Sequence, residues 1–193
     1  MARTQTSSEV RQRILETADE LFYRHGIRAV GIDRIIAEAA VAKMSLYKYF
    51  ASKDELIVAA LKYREDAVTA FFASSTEKHA KRIKDPLRVF FLALKDWFQT
   101  PDFRGCAFQN AAVELADPQH AGFQFAREHK QRFSSFLSNL LTESLGKSGA
   151  KIAPVVGLLV EGAIVTAVVQ GTTDAIDVAR DAAVKLAAEI KSI

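Results

Sequence analysis

Apolar side chains recur at intervals of three and four residues along most of the chain, and few helix-breaking residues interrupt them. Nine glycines and four prolines occur among 193 residues, whereas 49% of the residues are apolar. Because residues three and four positions apart lie on the same face of an α-helix, this spacing favours amphipathic helices packed around a shared core. The length suits one domain or two small ones. The sequence therefore predicts an all-α protein.

Capping residues and helix breakers divide the chain into nine predicted helices. Ser7 or Ser8 is expected to cap the first helix, and Ser52 and Glu55 form a capping box that begins the fourth. Gly149-Ala150 is interpreted as a turn before the eighth helix. We expect helices over about 8–25, 32–39, 43–49, 53–78, 86–100, 105–116, 118–145, 154–171 and 174–191.

A short basic segment lies within the first fifty-odd residues. Between Ala39 and Lys53 there are three lysines and no acidic residue, although the net charge of the whole chain is only +3. The first three predicted helices together have the size of a helix-turn-helix unit, which inserts its last helix into the major groove of DNA. We therefore expect a helix-turn-helix domain over residues 1–51 and a second helical domain over residues 52–193.

The third predicted helix ends in the motif Leu46-Tyr47-Lys48-Tyr49-Phe50, which is followed by Ser52-Lys53. Together with the residues from Gly31 onward, this stretch resembles the helix-turn-helix signature of the TetR family of transcriptional regulators. The resemblance covers about residues 8–61, and the predicted nine-helix plan agrees with it. It implies a repressor that binds a pseudo-palindromic operator in double-stranded DNA as a homodimer. It also implies that residues 52–193 form a ligand-binding and dimerisation domain. A small apolar or aromatic effector is then expected to release the operator, with corepression as the alternative.

The exposed face of the third helix carries the residues expected to contact DNA. Lysines and tyrosine hydroxyls suit phosphate oxygens, whereas Leu46 and Phe50 are expected in the core. An N-terminal arm with Arg3 and Thr4 could reach a neighbouring groove of the DNA. The alternative for the third helix is that its lysines and tyrosines form an ordinary solvated face. The candidate DNA contacts are Lys43, Met44, Ser45, Tyr47, Lys48, Tyr49 and Lys53.

Two residues of the predicted turn depart from the family pattern. Family members usually carry glycine where this chain has Ala40, and serine or threonine where it has Ala42. A left-handed alanine costs about 1–2 kcal/mol, and a missing hydroxyl cap costs about 1 kcal/mol. Ala42 also removes an expected phosphate contact, so operator affinity is expected to differ from the family norm.

Aromatic residues are concentrated in the second part of the chain, where the resemblance implies an effector cavity. Eleven of the thirteen phenylalanines follow residue 70. The segment Arg104-GCAFQNAAVEL-Ala116 resembles a pattern found in one section of the family, and its helical spacing puts a thiol, an amide and a carboxylate in one stripe. That stripe faces either a cavity or solvent. The aromatic side chains either line a ligand pocket or belong to the ordinary hydrophobic core. The candidate effector contacts are Phe71, Trp97, Cys106, Gln109, Asn110 and Glu114.

The last two predicted helices, 154–171 and 174–191, are expected to form the homodimer interface. The first of them contains small residues that let a partner helix approach closely, and the resemblance implies a four-helix interface. The alternative is a buried central helix of a monomer. The small residues are Gly157, Gly162, Ala163 and Ala167.

Several classes of protein are disfavoured by what the chain contains. Cys106 is the only cysteine, so it cannot form a disulfide within the chain, and it is either an inert buried residue or a redox sensor. The four histidines have no metal-ligand spacing, and no cofactor, metal or catalytic motif is recognisable. The apolar stretch from Val155 to Val169 is shorter than a membrane span and contains Glu161. We expect a cytoplasmic protein that is not an enzyme, with a small-molecule-binding protein lacking regulatory DNA binding as the rival.

Overall fold

The computed structural model describes residues 6–191, and within that range the backbone forms nine α-helices and no strand. The predicted all-α fold is confirmed. The predicted arm with Arg3 and Thr4 lies outside the described residues. The helices are α1 (Ser7–His25), α2 (Ile32–Glu38), α3 (Lys43–Tyr49), α4 (Lys53–Ala80), α5 (Pro86–Phe98), α6 (Ala107–Leu115), α7 (Ala121–Leu145), α8 (Lys147–Gln170) and α9 (Asp174–Lys191).

The described residues form two compact units. The first unit consists of the chain through Val68 together with Ala107–Glu128, so it contains α1–α3, the N-terminal part of α4, α6 and the start of α7. The second unit consists of Thr69–Cys106 and the chain from His129 onward, which includes α5, α8 and α9. The functional division after residue 51 stays a prediction.

The first unit holds α1, α2 and α3 together through a small apolar core. Each of these helices contributes at least one side chain that is fully or almost fully buried. Full burial of such a side chain contributes about 1.5–3 kcal/mol, so this core fixes the orientation of the short α3 helix, which is too short to be stable alone. The core side chains are Ile14, Ala18, Leu21, Val30, Ile35, Leu46 and Phe50.

An ion pair on the inner side of α1 joins this helix to α4. Asp19 accepts two bonds from Arg64, from Nε at 2.8 Å and from Nη2 at 2.7 Å, and the guanidinium lies 4.3 Å from the ring centroid of Tyr23. Burial raises the pKa of Asp19, although Arg64 opposes that shift. The paired charges therefore hold the N-terminal half of α4 against α1 in one geometry.

In the second unit, α9 packs against both α5 and α8. Lys95 of α5 donates to Asp177 of α9 at 2.6 Å, and this hydrogen bond lowers the pKa of Asp177 against the effect of burial. By length and composition alone, α8 is long and apolar enough to cross a membrane. The predicted stretch from Val155 to Val169 is too short for that. The inner face of α8 is nevertheless buried in the unit, and Glu161 accepts a hydrogen bond from Lys130 at 2.6 Å.

The predicted starts of α1 and α7 were wrong because side chains bind the backbone at other positions than expected. Thr6, not Ser7 or Ser8, caps α1: its hydroxyl accepts from the Glu9 amide at 3.3 Å, and the Glu9 carboxylate accepts from the Thr6 amide at 2.7 Å. Helix α7 begins at Ala121 rather than at Pro118. The preceding residues form a turn instead, in which the Asp117 carboxylate accepts from the Gln119 amide.

The eighth helix begins at Lys147, seven residues before the predicted start at Pro154. Gly149 is not in a turn but at a close helix contact, where a Cβ atom would overlap the backbone of Leu141. Pro154 is tolerated inside the helix because the carbonyl that has no amide donor there belongs to Ala150, which is exposed to water. Gly146, with φ +64°, ends α7 as predicted.

Candidate nucleic-acid interface and ligand-binding region

The α3 helix presents a polar face above two buried anchors. Leu46 is fully buried and Phe50, the residue after the helix, is 1% exposed. On the other face, Met44 is 80% exposed and Tyr47 is 42% exposed. Lys43 and Lys48 are exposed as well, and Ser45 and Tyr49 are half-buried. Six of the seven predicted DNA contacts thus belong to one seven-residue helix, whose small size suits a major groove.

Few strong contacts restrain the cations of α3. Lys43 lies 3.5 Å from Asp33, but both side chains are largely exposed, and such pairs contribute little. The Lys48 ammonium lies 5.6 Å from the ring centroid of Tyr49. The Tyr49 hydroxyl is 2.7 Å from Ser7 Oγ, which ties the end of α3 to the start of α1. This face therefore offers positive charge without a buried partner that must first be displaced.

The turn between α2 and α3 contains the backbone strain that the sequence predicted. Ala40 has φ +50°, in the left-handed region that favours glycine. Ala42 occupies the N-cap position of α3 with extended backbone and no side-chain hydrogen bond to the helix. The turn therefore lacks both the flexible residue and the hydroxyl cap that this geometry normally uses.

Ala40→Gly is expected to raise the free energy of unfolding by about 0.5–1 kcal/mol, because the strain relieved exceeds the backbone entropy that glycine adds to the unfolded chain. Urea denaturation of both proteins measures this difference. Ala37→Gly is the matched control, since Ala37 is exposed within α2 and its replacement should destabilise. A destabilised Ala40→Gly protein would show that the left-handed residue is not strained.

Lys53, the seventh predicted DNA contact, uses its ammonium group inside the first unit. It donates to the carbonyl of Ile27 at 2.6 Å and lies 6.0 Å from the ring centroid of Phe22. Burial lowers the pKa of Lys53, although the carboxylates of Asp54 and Glu114 oppose that shift. Its role as a DNA contact stays a prediction.

The capping box at the start of α4 is confirmed with one difference. The Glu55 amide donates to Ser52 Oγ at 3.1 Å, as predicted. The Glu55 carboxylate accepts from the amide of Ala51 at 2.8 Å, one residue earlier than expected. These bonds fix the direction in which α4 leaves the end of α3.

The six predicted effector contacts are divided between the two units. Phe71, Trp97 and Cys106 belong to the second unit, where Trp97 contacts the rings of Phe72, Phe98 and Phe103. Cys106 is only 7% exposed and immediately precedes α6, so the expected stripe within one helix was wrong at this residue. The left-handed Gly105, with φ +80°, ends the preceding loop and delays the start of the helix.

Gln109, Asn110 and Glu114 lie on α6 in the first unit. Asn110 and Glu114 line a cavity of about 30 Å³, which has room for about one water molecule and not for a drug-sized ligand. The carboxylate of Glu114 accepts from the amide of Arg28 at 3.0 Å. These residues therefore meet a cavity, as one interpretation expected, but its size does not suit an effector in this conformation.

A larger concavity of about 440 Å³ lies in the second unit and was missed by the sequence analysis. The end of α5, the loop after it and the α8–α9 connection form its walls, and its volume is typical of ligand pockets. The closely spaced Phe98 and Phe103, whose rings stack in the structure, are the sequence signal that could have indicated it. The polar side chains on its walls are Thr100, Arg104, Thr172 and Thr173.

Two partly exposed polar clusters lie in the second unit, one around Asp96 and one beside the predicted effector contact Cys106. Around Asp96, burial alone would raise the pKa, but hydrogen bonds from Ser75, Lys78 and His79 outweigh it and lower the pKa. Ser75 and His79 both bond to Asp96, so the histidine does not lie between the serine and the carboxylate as it does in a catalytic triad. Burial lowers the pKa of Lys130, but the neighbouring Cys106 and the carboxylate of Glu161 outweigh burial and raise it.

The family described as bacterial regulatory proteins, tetR family, matches residues 14–60. Over 86 residues the chain is 33% identical to the uncharacterized HTH-type transcriptional regulator YxaF of Bacillus subtilis, covering 44% of this chain and 43% of that protein. Over 49 residues it is 47% identical to the HTH-type transcriptional repressor SCO4008 of Streptomyces coelicolor, covering 25% of this chain and 26% of that protein. The chain thus matches less than half of each of these relatives.

Similarity over nearly the whole chain is found with a solved structure. SCO4454 of Streptomyces coelicolor, described as a TetR-family transcriptional regulator, superposes with a TM-score of 0.85. The two sequences are 30% identical, and the alignment covers 95% of this chain and 96% of that chain. Both the helix-turn-helix segment and the remaining helices are therefore similar to those of that regulator.

Proposed function

The chain belongs to the TetR family of bacterial regulatory proteins, and we propose that it is a cytoplasmic, ligand-responsive repressor that binds a pseudo-palindromic operator as a homodimer. The single observation that carries this proposal is the exposed polar face of α3 above the buried Leu46 and Phe50. A helix of this size, anchored from behind, can enter a major groove without moving its core. The name of the relative SCO4008 describes a repressor, which favours that sign of regulation.

We assign DNA reading to the N-terminal part of α3 and backbone contacts to the rest of its exposed face. Met44 and Ser45 stand where base edges are read, and an exposed methionine side chain suits the methyl group of thymine. Lys43 and Lys48 supply ammonium groups, and Tyr47 supplies a hydroxyl, for phosphate oxygens. The missing hydroxyl at Ala42 removes one such contact in each half-site.

The homodimer is assigned to an apolar stripe on the outer face of α8. Val155, Leu158, Val165 and Val169 are 45–79% exposed and follow one another at intervals of three, seven and four residues, with the exposed Gly162 between them. Contiguous apolar surface of this kind marks an interface in soluble proteins. The other small residues expected at the interface, Gly157, Ala163 and Ala167, are half-buried or buried within the subunit, so Gly162 is the one suited to close approach.

A second copy of the chain is the occupant of this stripe because α9 continues it. Val178 of α9 is 70% exposed, and α9 packs against α8 in the same unit. Two such α8–α9 pairs form a four-helix interface around a twofold axis. Twofold symmetry then presents two α3 helices to successive major grooves about 34–36 Å apart.

The effector is proposed to be a small apolar or aromatic molecule. The aromatic side chains of the second unit, together with a concavity of about 440 Å³, support binding of such a molecule there. An effector releases the operator only if it binds the released conformation more tightly than the DNA-bound one. Phe71, Trp97, Cys106, Gln109, Asn110 and Glu114 stay predicted contacts.

Binding to the DNA that flanks the gene of this protein tests the proposal. Fluorescence anisotropy should give a dissociation constant at least about 1,000-fold lower for an operator fragment than for a scrambled fragment of equal length. The affinity should also fall steeply between about 50 and 200 mM salt, because bound phosphates release counterions. A small-molecule-binding protein without regulatory DNA binding would bind both fragments equally weakly.

A further inference from the structure

The connection between α1 and α2 is held by backbone hydrogen bonds to groups outside these helices. The amide of Arg28 donates to Glu114 Oε2 of α6 at 3.0 Å, and the carbonyl of Ile27 accepts from Lys53 Nζ of α4 at 2.6 Å. Arg28 also donates through Nη2 to the carbonyl of Leu115 at 3.4 Å. Two adjacent residues of one short segment are therefore held by a carboxylate on one helix and an ammonium group on another.

The glycine that ends α1 leaves space for this carboxylate. Gly26 has φ +88°, and a Cβ atom at this position would lie 2.8 Å from Glu114 Oε2 and 3.0 Å from Oε1. Glu114 therefore packs directly against the backbone of Gly26 while it accepts from Arg28. Any larger residue at position 26 would push the carboxylate away.

The charges of Lys53 and Glu114 also stabilise one another. Burial lowers the pKa of Lys53, and the negative charge of Glu114 opposes that shift. Charge-assisted hydrogen bonds are stronger than bonds between neutral groups, so this pair fixes the segment more firmly than two amide contacts would. All of these residues lie in the first unit, which also contains α2 and α3.

We propose that Glu114 and Lys53 form a clamp on Ile27 and Arg28 that positions the helix-turn-helix for DNA. This inference rests on the proposed function. It gives Glu114 a positioning role that is separate from its predicted effector contact, and it assigns the Lys53 ammonium to the protein backbone rather than to phosphate. The clamp links α6, which carries three of the predicted effector contacts, to the segment that leads into α2 and α3.

Operator affinity of Glu114→Ala provides the first test. Without the Glu114 carboxylate, the helix-turn-helix can leave the conformation that binds DNA. The apparent operator affinity then falls in proportion to the fraction of molecules that keep that conformation. We expect a decrease on the order of 10-fold, with a smaller decrease for Glu114→Gln, which keeps an acceptor oxygen. If the charge of Glu114 acted on DNA directly, Glu114→Ala would bind the operator more tightly, because removing a negative charge reduces repulsion of DNA.

Glu20→Ala is the matched control, since Glu20 is an exposed carboxylate of the same unit paired with Arg24. Its operator affinity should be unchanged or slightly higher. Equal or tighter binding by Glu114→Ala would overturn the clamp while leaving the proposed function intact. Failure of the wild-type protein to bind any operator would instead overturn the proposed function.

Amide hydrogen exchange provides a readout that needs no DNA. In Glu114→Ala the amide of Arg28 should exchange at least about 10-fold faster than in the wild type, because its acceptor is gone. The amide of Gly26 should be unaffected, since it donates to the carbonyl of Phe22 within α1. Unchanged exchange at Arg28 would contradict the clamp, and faster exchange at both amides would show general loosening instead.

Lys53→Met separates the clamp from a phosphate contact, and it carries the test if Glu114→Ala does not fold. If Lys53 acts through Ile27, operator affinity falls while the slope of log affinity against log salt is unchanged. If Lys53 binds phosphate, that slope decreases by about one for each phosphate that the variant no longer binds. In the double variant with Glu114→Ala, the two effects should be less than additive because both residues hold the same segment.

Discussion

Tyr47→Ala is expected to weaken operator binding by at least about 30-fold while leaving the protein folded and dimeric. Removing one groove or phosphate interaction costs about 1–3 kcal/mol, and the change removes two of them from a symmetric dimer. Tyr47 is 42% exposed and lies outside the core of the first unit, so the fold should tolerate the change. Anisotropy titrations with the operator fragment measure the affinity, and thermal unfolding checks stability.

Two further variants of the same helix assign the interaction to its chemical group. Tyr47→Phe removes the hydroxyl alone, and affinity close to that of Tyr47→Ala would assign the effect to a hydrogen bond with phosphate. Lys48→Ala should weaken binding and reduce the salt slope, whereas Lys62→Ala, an exposed lysine on α4, should do neither. Normal operator binding by Tyr47→Ala would mean that α3 is not the helix that reads DNA.

Leu158→Glu is expected to dissociate the dimer, raising its dissociation constant by about 1,000-fold or more. The change places one carboxylate from each subunit in an apolar interface, and two such charges without partners cost at least about 4 kcal/mol. Leu158 is 74% exposed in the isolated chain, so the subunit itself should fold normally. Analytical ultracentrifugation at several protein concentrations measures the change.

Val113→Glu is the matched control for this experiment. Val113 lies on α6 and is also 74% exposed, but it is not part of the α8 stripe. It should leave the dimer intact, whereas Leu158→Glu should reduce operator affinity as it dissociates the dimer, because one subunit reaches only one half-site. If the Leu158→Glu protein remained dimeric, α8 would not be part of the dimer interface.

Local sequence signals predicted most of the fold because they act over a few residues. The spacing of Leu46 and Phe50 identified the buried side of α3, and the Ser52 box identified the start of α4. The predicted starts of α7 and α8 were wrong because a proline or a glycine has more than one structural use. Gly149 lies at a close approach of two helices rather than in a turn, and that use depends on the backbone of α7.

The candidate site was harder to predict because its contacts join distant parts of the chain. Glu114 accepts from Arg28, which is 86 residues away in sequence, and no local pattern indicates that pairing. Lys53 resembled a DNA contact by its position in the motif, yet its ammonium binds the carbonyl of Ile27. In contrast, the exposure of Lys43, Met44 and Tyr47 followed from helical periodicity alone.

Selection of genomic DNA fragments by the purified protein is the most direct measurement of the central claim, that α3 reads an operator in a symmetric dimer. We predict enrichment of one pseudo-palindromic motif whose half-site centres are separated by about one helical turn of DNA or a multiple of it. A parallel selection with Tyr47→Ala should enrich no motif. Failure of the wild-type protein to enrich any sequence, or equal enrichment by both proteins, would contradict the claim.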